Sequence, residues 1–200
     1  MAATANTAND VLVVGPGPGD ELPQLLDACP SARVMVVEPS AQMIIECRQN
    51  IEQHAGKNRC TLIQANLEEA VLSHLDGSQF DAVVCHNVVH LMPAEQQKEL
   101  LVQLAGLVLP GGHILLSSHT ESSDANLVEK VLLVATQRLS DRGLARDKIE
   151  QLLAGLNTVI FPLTQERMAS VLAAQGFHRP VQLFQGLFSR LWLIQRSIQR

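Results

Sequence analysis

The sequence predicts an α/β fold: a doubly wound, mostly parallel seven-stranded sheet with a C-terminal antiparallel hairpin and a helical insertion after strand five. Short apolar runs alternate with segments of helical periodicity, which is typical of a parallel sheet covered by helices. The runs are continuously apolar, as in strands buried on both faces. The last two runs are joined by a spacer too short for a crossover, so we expect them to pair antiparallel.

Five predicted strands come first, and each ends where a polar or glycine-containing segment begins. They cover residues 11–14, 34–37, 60–63, 81–85 and 113–116. Between them, residues 21–29, 41–54 and 94–108 are predicted as helices, because their apolar residues recur at the spacing of one helical face. Ser40 is a predicted N-cap, and Pro93 is expected in the first turn of its helix.

After the fifth strand the pattern becomes helical. Segments 124–139 and 145–156 are predicted as helices of an insertion that spans residues 121–160. Thr164 is the expected N-cap of one more helix, and Gly176 is expected to end it. Two strands at 181–185 and 188–194, with a turn at Gly186, form the predicted hairpin. Since no repeat, linker or low-complexity tract divides the chain, we expect a single domain over residues 1–200.

Composition argues against several classes of function. The 200 residues include 15 Lys and Arg against 20 Asp and Glu, a net charge of −5, which disfavours a nucleic-acid-binding surface. The four cysteines include no closely spaced pair, so the sequence predicts no metal site and buried, reduced thiols. No signal peptide and no apolar run of ~20 residues is present, so we expect a soluble, cytoplasmic protein with no membrane contact.

A glycine-rich loop, Gly-Pro-Gly-Pro-Gly, separates the first strand from the first helix. Glycines there let the backbone approach a ligand closely. The dinucleotide pattern GxGxxG is not met, because the sixth position counted from Gly15 is Asp20. Asp20 and Glu21 also place negative charge where a helix N-terminus would hold a pyrophosphate. A nicotinamide oxidoreductase is therefore the disfavoured alternative class of enzyme.

An acidic residue and an amide follow the next two strands. Glu38 ends strand two, about 20 residues beyond the glycine loop, where a carboxylate can accept hydrogen bonds from both hydroxyls of a ribose. After strand three, Asn66 is placed to read the edge of an adenine ring, and Leu67 to cover its face. The spacing of these segments indicates an adenosine-containing ligand.

Together these segments resemble the class I S-adenosylmethionine-dependent methyltransferases. The resemblance rests on GPGPG after strand one, Glu38, Asn66, FDAVVCHN at residues 80–87 and LPGG at residues 109–112. It implies S-adenosylmethionine as cofactor and S-adenosylhomocysteine as product, with no metal. The implied cofactor-binding residues are Gly15, Pro16, Gly17, Glu38, Pro39, Met43, Asn66, Leu67 and His86.

The resemblance also places the reaction near two histidines. His86 and His90 follow strand four, in the segment that lines the methyl-transfer region of the family, and both are candidate catalytic residues. His86 is the stronger candidate, either as a general base or as a neutral side chain packed against the cofactor. The chain departs from the family at Val13, where an acid is common, and at Asn66, where Asp is common.

The C-terminal part resembles the enzymes that make carboxymethylated S-adenosylmethionine for wobble-uridine modification in tRNA. Those enzymes hold the carboxylated cofactor with Arg and Tyr, whereas this chain contains no Tyr and has apolar residues at 152–154. We therefore expect S-adenosylmethionine itself and transfer of a methyl group to a small-molecule acceptor. The alternatives are a tRNA-modifying enzyme of the carboxymethyl-donor group and a catalytically inactive, cofactor-binding regulator. Surplus apolar surface on the insertion would favour a homodimer.

Overall fold

The computed structural model describes residues 8–120, 125–155, 158–186 and 188–198. Helices and strands alternate through β5, and three helices then precede the final hairpin. The elements are β1 (Asp10–Val14), α1 (Leu22–Ala28), β2 (Arg33–Glu38), α2 (Ala41–Ile51), β3 (Cys60–Gln64), α3 (Leu67–Ser73), β4 (Phe80–His86), α4 (Ala94–Gly106), β5 (Val108–His119), α5 (Ala125–Asp141), α6 (Arg146–Ala154), α7 (Gln165–Ala173), β6 (Val181–Gly186) and β7 (Ser189–Gln195). Short 3-10 turns lie at Lys57–Arg59 and Val89–Leu91.

The seven strands form one sheet in the order β3-β2-β1-β4-β5-β7-β6. The pairs among β1 to β5 are parallel, and β7 runs antiparallel to both β5 and β6. The strand order reverses at β1, which lies between β2 and β4. In open α/β sheets, ligands bind in the crevice beyond the carboxyl ends of the strands at such a reversal. The topology therefore places a candidate site at the loops after β1, β2 and β4.

The core has two layers, one on each face of the sheet. On one face α1 and α2 pack through Leu22, Leu26 and Cys47, which are at most 1% exposed. On the other face α3, α4 and α7 surround Leu104 and Trp192, both fully buried. Burial of apolar surface is the main favourable term in folding, at about 25 cal/mol per Å². The two layers therefore cover both faces of the sheet.

The predicted fold class is confirmed, and the predicted caps at Ser40 and Thr164 both accept a backbone hydrogen bond. Several details differ. Helix α2 ends at Ile51 rather than at residue 54, and α7 ends at Ala173 with Ala174, not Gly176, as its C-cap. The fifth strand begins at Val108, so α4 ends at Gly106 rather than at residue 108. Pro93 occupies the N-cap position of α4, one place before the first turn. Helix α3 was not predicted, although Asn66 and Glu69 form its capping box.

The predicted insertion contains α5 and α6, while its residues 121–124 and 156–157 lie outside the described part of the chain. The prediction of one domain over residues 1–200 stays a prediction. No helix in the described ranges is both long and apolar enough to cross a membrane. Within the same ranges, no group of three or more His, Cys, Asp or Glu side chains is arranged to hold a metal ion.

Candidate cofactor cleft

A cleft of about 810 Å³ opens at the carboxyl ends of β1, β2 and β4, where the strand order reverses. Its walls come from the glycine loop, the start of α1, the β2–α2 connection and the segment after β4. The lining residues are Gly15, Pro16, Gly17, Pro18, Asp20, Glu21, Gln24, Glu38, Pro39, Met43, His86, Asn87, Val88 and Leu91.

Two glycines of the loop share a backbone conformation but differ in their surroundings. Both have a left-handed backbone, with φ of 63° at Gly15 and 61° at Gly17. A Cβ on Gly15 would lie 2.6 Å from the side chain of Val88, so a larger residue would require Val88 or the backbone to shift. A Cβ on Gly17 would meet no atom within 4 Å. The backbone of Gly17 is therefore exposed towards open space in the cleft, where a ligand can approach it.

Two side chains of helix α2 form hydrogen bonds with the glycine loop and with Asp20. The Cys47 thiol donates a hydrogen bond to the carbonyl of Gly17, with 3.1 Å between Sγ and O. The Asn50 amide donates to the carbonyl of Pro18 at 2.9 Å and to the Asp20 carboxylate at 3.0 Å. Burial, with added repulsion from Glu38, raises the pKa of Cys47 to about 11, so the thiol keeps its proton near neutral pH.

Glu38 connects the loop to the end of β2. Its side chain is buried, at 6% exposure. One carboxylate oxygen accepts the N–H of Gly17 at 3.1 Å, and the other accepts the N–H of Ser40 at 2.9 Å. Each oxygen has a second lone pair, so the carboxylate can still accept hydrogen bonds from a ligand. The geometry suits a ligand that carries two neighbouring hydroxyl groups.

The cleft is acidic. Asp20, Glu21 and Glu38 line it, and its fourteen lining residues include no Lys or Arg. Burial raises the pKa of Glu21, and the nearby charge of Asp20 adds to the rise, while a backbone hydrogen bond opposes it. Such a site attracts a cationic group and repels phosphates and carboxylates. The acidic cleft therefore disfavours a dinucleotide, in agreement with the absence of the GxGxxG pattern.

The segment after β4 supplies a histidine and a strained asparagine. Nδ1 of His86 lies 3.2 Å from Oγ of Ser117 on β5, and burial lowers the pKa of His86. Its ring is therefore neutral near pH 7. Asn87 has a φ of 57° and is the one non-glycine residue with positive φ in the described ranges. Such strain is concentrated at functional sites, which singles out Asn87 beside His86.

The methyltransferase domain family matches residues 11–112, which include the glycine loop, Glu38 and His86. The chain belongs to this family. A carboxy-S-adenosyl-L-methionine synthase of Pseudomonas aeruginosa is 30% identical over 165 residues, which cover 80% of this chain and 64% of that protein. The synthase of Ectopseudomonas mendocina is 27% identical over 164 residues, with coverages of 81% and 64%. The chain thus spans less than two thirds of the length of these relatives.

Solved structures of methyltransferases share the fold of this methyltransferase domain. An O-methyltransferase family protein from Burkholderia thailandensis superposes with a TM-score of 0.72 at 20% identity, over 98% of this chain and 53% of that one. Magnesium protoporphyrin IX methyltransferase from Synechocystis, with bound S-adenosylhomocysteine, gives 0.64 at 21% identity, over 94% and 74%. At these identities the likeness shows the fold.

Seven of the predicted site residues of the methyltransferase domain line the cleft together. They are Gly15, Pro16, Gly17, Glu38, Pro39, Met43 and His86. Asn66 and Leu67 are not among the lining residues. The side-chain oxygen of Asn66 accepts the N–H of Glu69 at 2.9 Å, and Leu67 is buried in the core. Their predicted contacts with adenine stay predictions.

The structure also separates His90 from the cleft. Nδ1 of His90 accepts the N–H of His119 at 3.2 Å, and the two rings lie 4.4 Å apart. The side chain is buried at 4% exposure, and burial together with His119 lowers its pKa to about 4. His90 is thus a neutral, buried ring, and its hydrogen bond to a backbone N–H gives it a structural role. The predicted catalytic role of His90 is untested. Its position outside the cleft lining favours His86 as the catalytic histidine.

Sequence reasoning did not assign the other seven lining residues to the site, and three of them, Pro18, Asp20 and Glu21, belong to or follow the glycine loop. Gln24 lies in the first turn of α1, Leu91 lies in the short turn after β4, and Asn87 and Val88 follow His86. Asn87 carried a signal, because asparagine tolerates left-handed backbone and follows the end of a buried strand. Gln24 and Leu91 carried none, because their part in the cleft depends on how the loops fold over the sheet.

Proposed function

We propose that this protein transfers a methyl group from S-adenosylmethionine to a small-molecule acceptor. The observation that carries the proposal is the charge of the cleft. A buried carboxylate, Glu38, and two further acids surround a glycine loop, with no lining Lys or Arg. S-adenosylmethionine carries a sulfonium, an ammonium and a ribose with two hydroxyls, and it lacks the phosphates of a dinucleotide. Its charges and hydroxyls complement these side chains.

Different residues of the cleft would bind different parts of the cofactor. Glu38 would accept the ribose hydroxyls, since each of its oxygens keeps a lone pair beyond its backbone hydrogen bond. Gly17 would face the methionine portion, because its backbone is open to close approach, and Gly15 lines the cleft beside it. Pro39 and Met43 add apolar surface beside Glu38 for the flat base.

When bound, S-adenosylmethionine supplies a methyl carbon activated by its sulfonium. The protein's own part is to align the acceptor and, where the acceptor carries a proton, to remove it. His86 lines the cleft, and burial lowers its pKa, so the neutral ring can accept a proton near pH 7. No other lining residue combines a neutral side chain with a basic nitrogen.

The curated relatives are carboxy-S-adenosyl-L-methionine synthases, so a carboxylated donor is the second candidate. It would add a carboxylate to a cleft that holds Asp20 and Glu21 and has no lining cation. This repulsion favours unmodified S-adenosylmethionine. The net charge of −5 likewise favours a small molecule over tRNA as acceptor. A catalytically inactive regulator is the third candidate, and turnover with any acceptor contradicts it.

We also infer a cytoplasmic protein that forms a homodimer. All four cysteines are free, which agrees with a reducing compartment. The insertion helix α5 exposes Leu133 at 64% and Val134 at 46%, apolar surface that a second copy would cover. Light scattering on the purified protein tests the dimer, and a monomer of 21.8 kDa contradicts it.

The proposed function is tested by calorimetric titration with S-adenosylmethionine, S-adenosylhomocysteine and NADH. We expect micromolar binding of both sulfur compounds, loss of binding in Glu38→Ala, and no loss in Glu46→Ala, which removes an exposed acid that contacts Gln42. Preferential binding of NADH would contradict the proposal. Transfer of a radiolabelled methyl group into the small-molecule or the tRNA fraction of a cell extract then identifies the class of acceptor.

A further inference from the structure

Ser117 on β5 contacts two residues of the cleft at once. Its Oγ lies 3.2 Å from Nδ1 of His86 and accepts the N–H of Asn87 at 3.2 Å. The same hydroxyl donates to Oδ1 of Asn87 at 3.3 Å. The carbonyl of Ser117 also accepts the N–H of Asn87, at 3.0 Å. One side chain on β5 therefore holds the segment that follows β4.

The hydrogen bonds of this cluster favour one tautomer of His86. A serine hydroxyl has one proton to donate and two lone pairs that accept. Oδ1 of Asn87 can pair with the Ser117 hydroxyl only as an acceptor, whereas Nδ1 of His86 can pair with it as a donor or as an acceptor. Oγ of Ser117 also receives the N–H of Asn87. All three hydrogen bonds form together only when the Ser117 proton goes to Asn87, Nδ1 of His86 carries a proton and Nε2 is bare.

We propose that Ser117 is a positioning residue that holds His86 in the Nδ1–H tautomer, so that Nε2 is left as the proton acceptor of the cleft. The proposal rests on the proposed function, because it names the group that deprotonates the acceptor. The hydrogen bond made by one ring nitrogen decides the state of the other. Without such a bond, histidine favours the Nε2–H tautomer, which has no lone pair at Nε2 to offer.

In the proposed step, His86 takes one proton from the acceptor. The O–H or N–H proton of the acceptor moves to Nε2, and the electron pair of that bond stays on the acceptor as the nucleophile. His86 becomes an imidazolium whose Nδ1–H still bonds to Ser117, and it returns the proton to solvent after transfer. Burial lowers the pKa of His86, so the ring is neutral at the start and releases the proton readily.

The neighbouring serine provides a matched control. Ser118 is fully buried, and its side chain points away from His86: its Oγ donates to the carbonyl of His119 at 3.1 Å and lies 3.4 Å from Nδ1 of His90. Ser118→Ala thus removes the same atom from the next residue of β5 without touching the His86 cluster. Ser117→Thr keeps the hydroxyl and serves as the conservative variant.

The test is a long-range ¹H–¹⁵N NMR spectrum of histidine-labelled protein at about pH 8, with neither cofactor nor acceptor. His86→Gln identifies the His86 signals by their loss. We expect the Nδ1–H pattern in the native protein, in Ser118→Ala and in Ser117→Thr, and a shift towards Nε2–H in Ser117→Ala. A merely structural serine would not produce this pattern.

An Nε2–H pattern for His86 in the native protein overturns the proposal without any variant. An unchanged tautomer in Ser117→Ala overturns it as well. Because the spectrum needs no cofactor, its outcome is independent of the titrations that test the proposed function. Once an acceptor is known, Ser117→Ala should lower kcat several-fold with little change in KM, and Ser117→Thr should restore kcat.

Discussion

The carboxylate of Glu38 accepts the backbone N–H of Gly17, with 3.1 Å between Oε2 and N. This bond joins two segments that lie 21 positions apart in the chain, the loop after β1 and the end of β2. The second oxygen of Glu38 accepts the N–H of Ser40 at the start of α2. The acid that is expected to bind the ligand therefore also builds the loop that faces the ligand.

Glu38→Gln should weaken both folding and binding. A glutamine amide offers one oxygen, so its NH₂ group would face one of the two backbone N–H donors without an acceptor. We expect a loss of about 1–3 kcal/mol in the free energy of unfolding, measured in urea, and at least a ~10-fold loss of affinity for S-adenosylhomocysteine. Glu46→Gln, on an exposed face of α2, should change neither value. Native affinity in Glu38→Gln would contradict the role of the carboxylate.

Gly17→Ala and Gly143→Ala form a matched pair. Both glycines have positive φ, and a Cβ on either would meet no atom within 4 Å, so each substitution should cost about 1 kcal/mol through backbone strain alone. Gly17 lines the cleft, whereas Gly143 lies in the connection between α5 and α6. Only Gly17→Ala should therefore lose affinity for S-adenosylhomocysteine in calorimetry. Equal affinities in the two variants would place the ligand elsewhere.

Glu21→Gln should reduce the preference for the charged sulfur ligand. S-adenosylmethionine carries a sulfonium where S-adenosylhomocysteine has a neutral thioether, so removal of a cleft charge affects the former more. We expect the ratio of their affinities to fall about fivefold, equivalent to about 1 kcal/mol.

The ratio of the affinities for S-adenosylmethionine and S-adenosylhomocysteine should also depend on pH. Burial raises the pKa of Glu21, so its charge is lost as the pH falls through that raised value, and the native ratio should drop in the same direction. Calorimetry at several pH values measures this dependence. Glu46→Gln is the control, and a ratio that is the same in Glu21→Gln as in the native protein would remove Glu21 from the site.

His90 should make the protein less stable in acid. Burial and His119 lower the pKa of His90 to about 4, from the ordinary value of 6.5. Between these values the unfolded chain binds more protons than the folded one, so the free energy of unfolding is highest above pH 6.5 and falls as the pH drops towards 4. Burial also lowers the pKa values of His86, His113 and His119, which adds to the same slope.

Two substitutions of His90 separate its charge from its hydrogen bond. His90→Asn keeps an acceptor near the position of Nδ1 for the N–H of His119, whereas His90→Gln moves the acceptor outward. We expect a shallower loss of stability in acid for His90→Asn, and for His90→Gln an additional loss of about 1 kcal/mol near pH 7. Urea unfolding measured from pH 7 down to about 4 distinguishes them. A native slope in His90→Asn would show that His90 titrates normally.

Local signals predicted most of the fold. The continuous apolar runs located β1 to β5, and the short spacer at Gly186 predicted the antiparallel pair β6 and β7. Helix α3 was missed because its seven residues follow a segment interpreted as a ligand-binding loop. The capping pair Asn66 and Glu69 was present in the sequence and would have indicated a helix start.

The sequence by itself determined the glycine loop, the acid at the end of β2 and the histidine after β4, because each lies at the end of a strand whose apolar run is visible. Tertiary structure decided which of these groups meet. Parallel pairing sets His86 opposite Ser117, 31 positions away, and turns His90 towards His119 instead of the cleft. Such contacts depend on strand register and on the packing of helices over the sheet, which no run of neighbouring residues encodes.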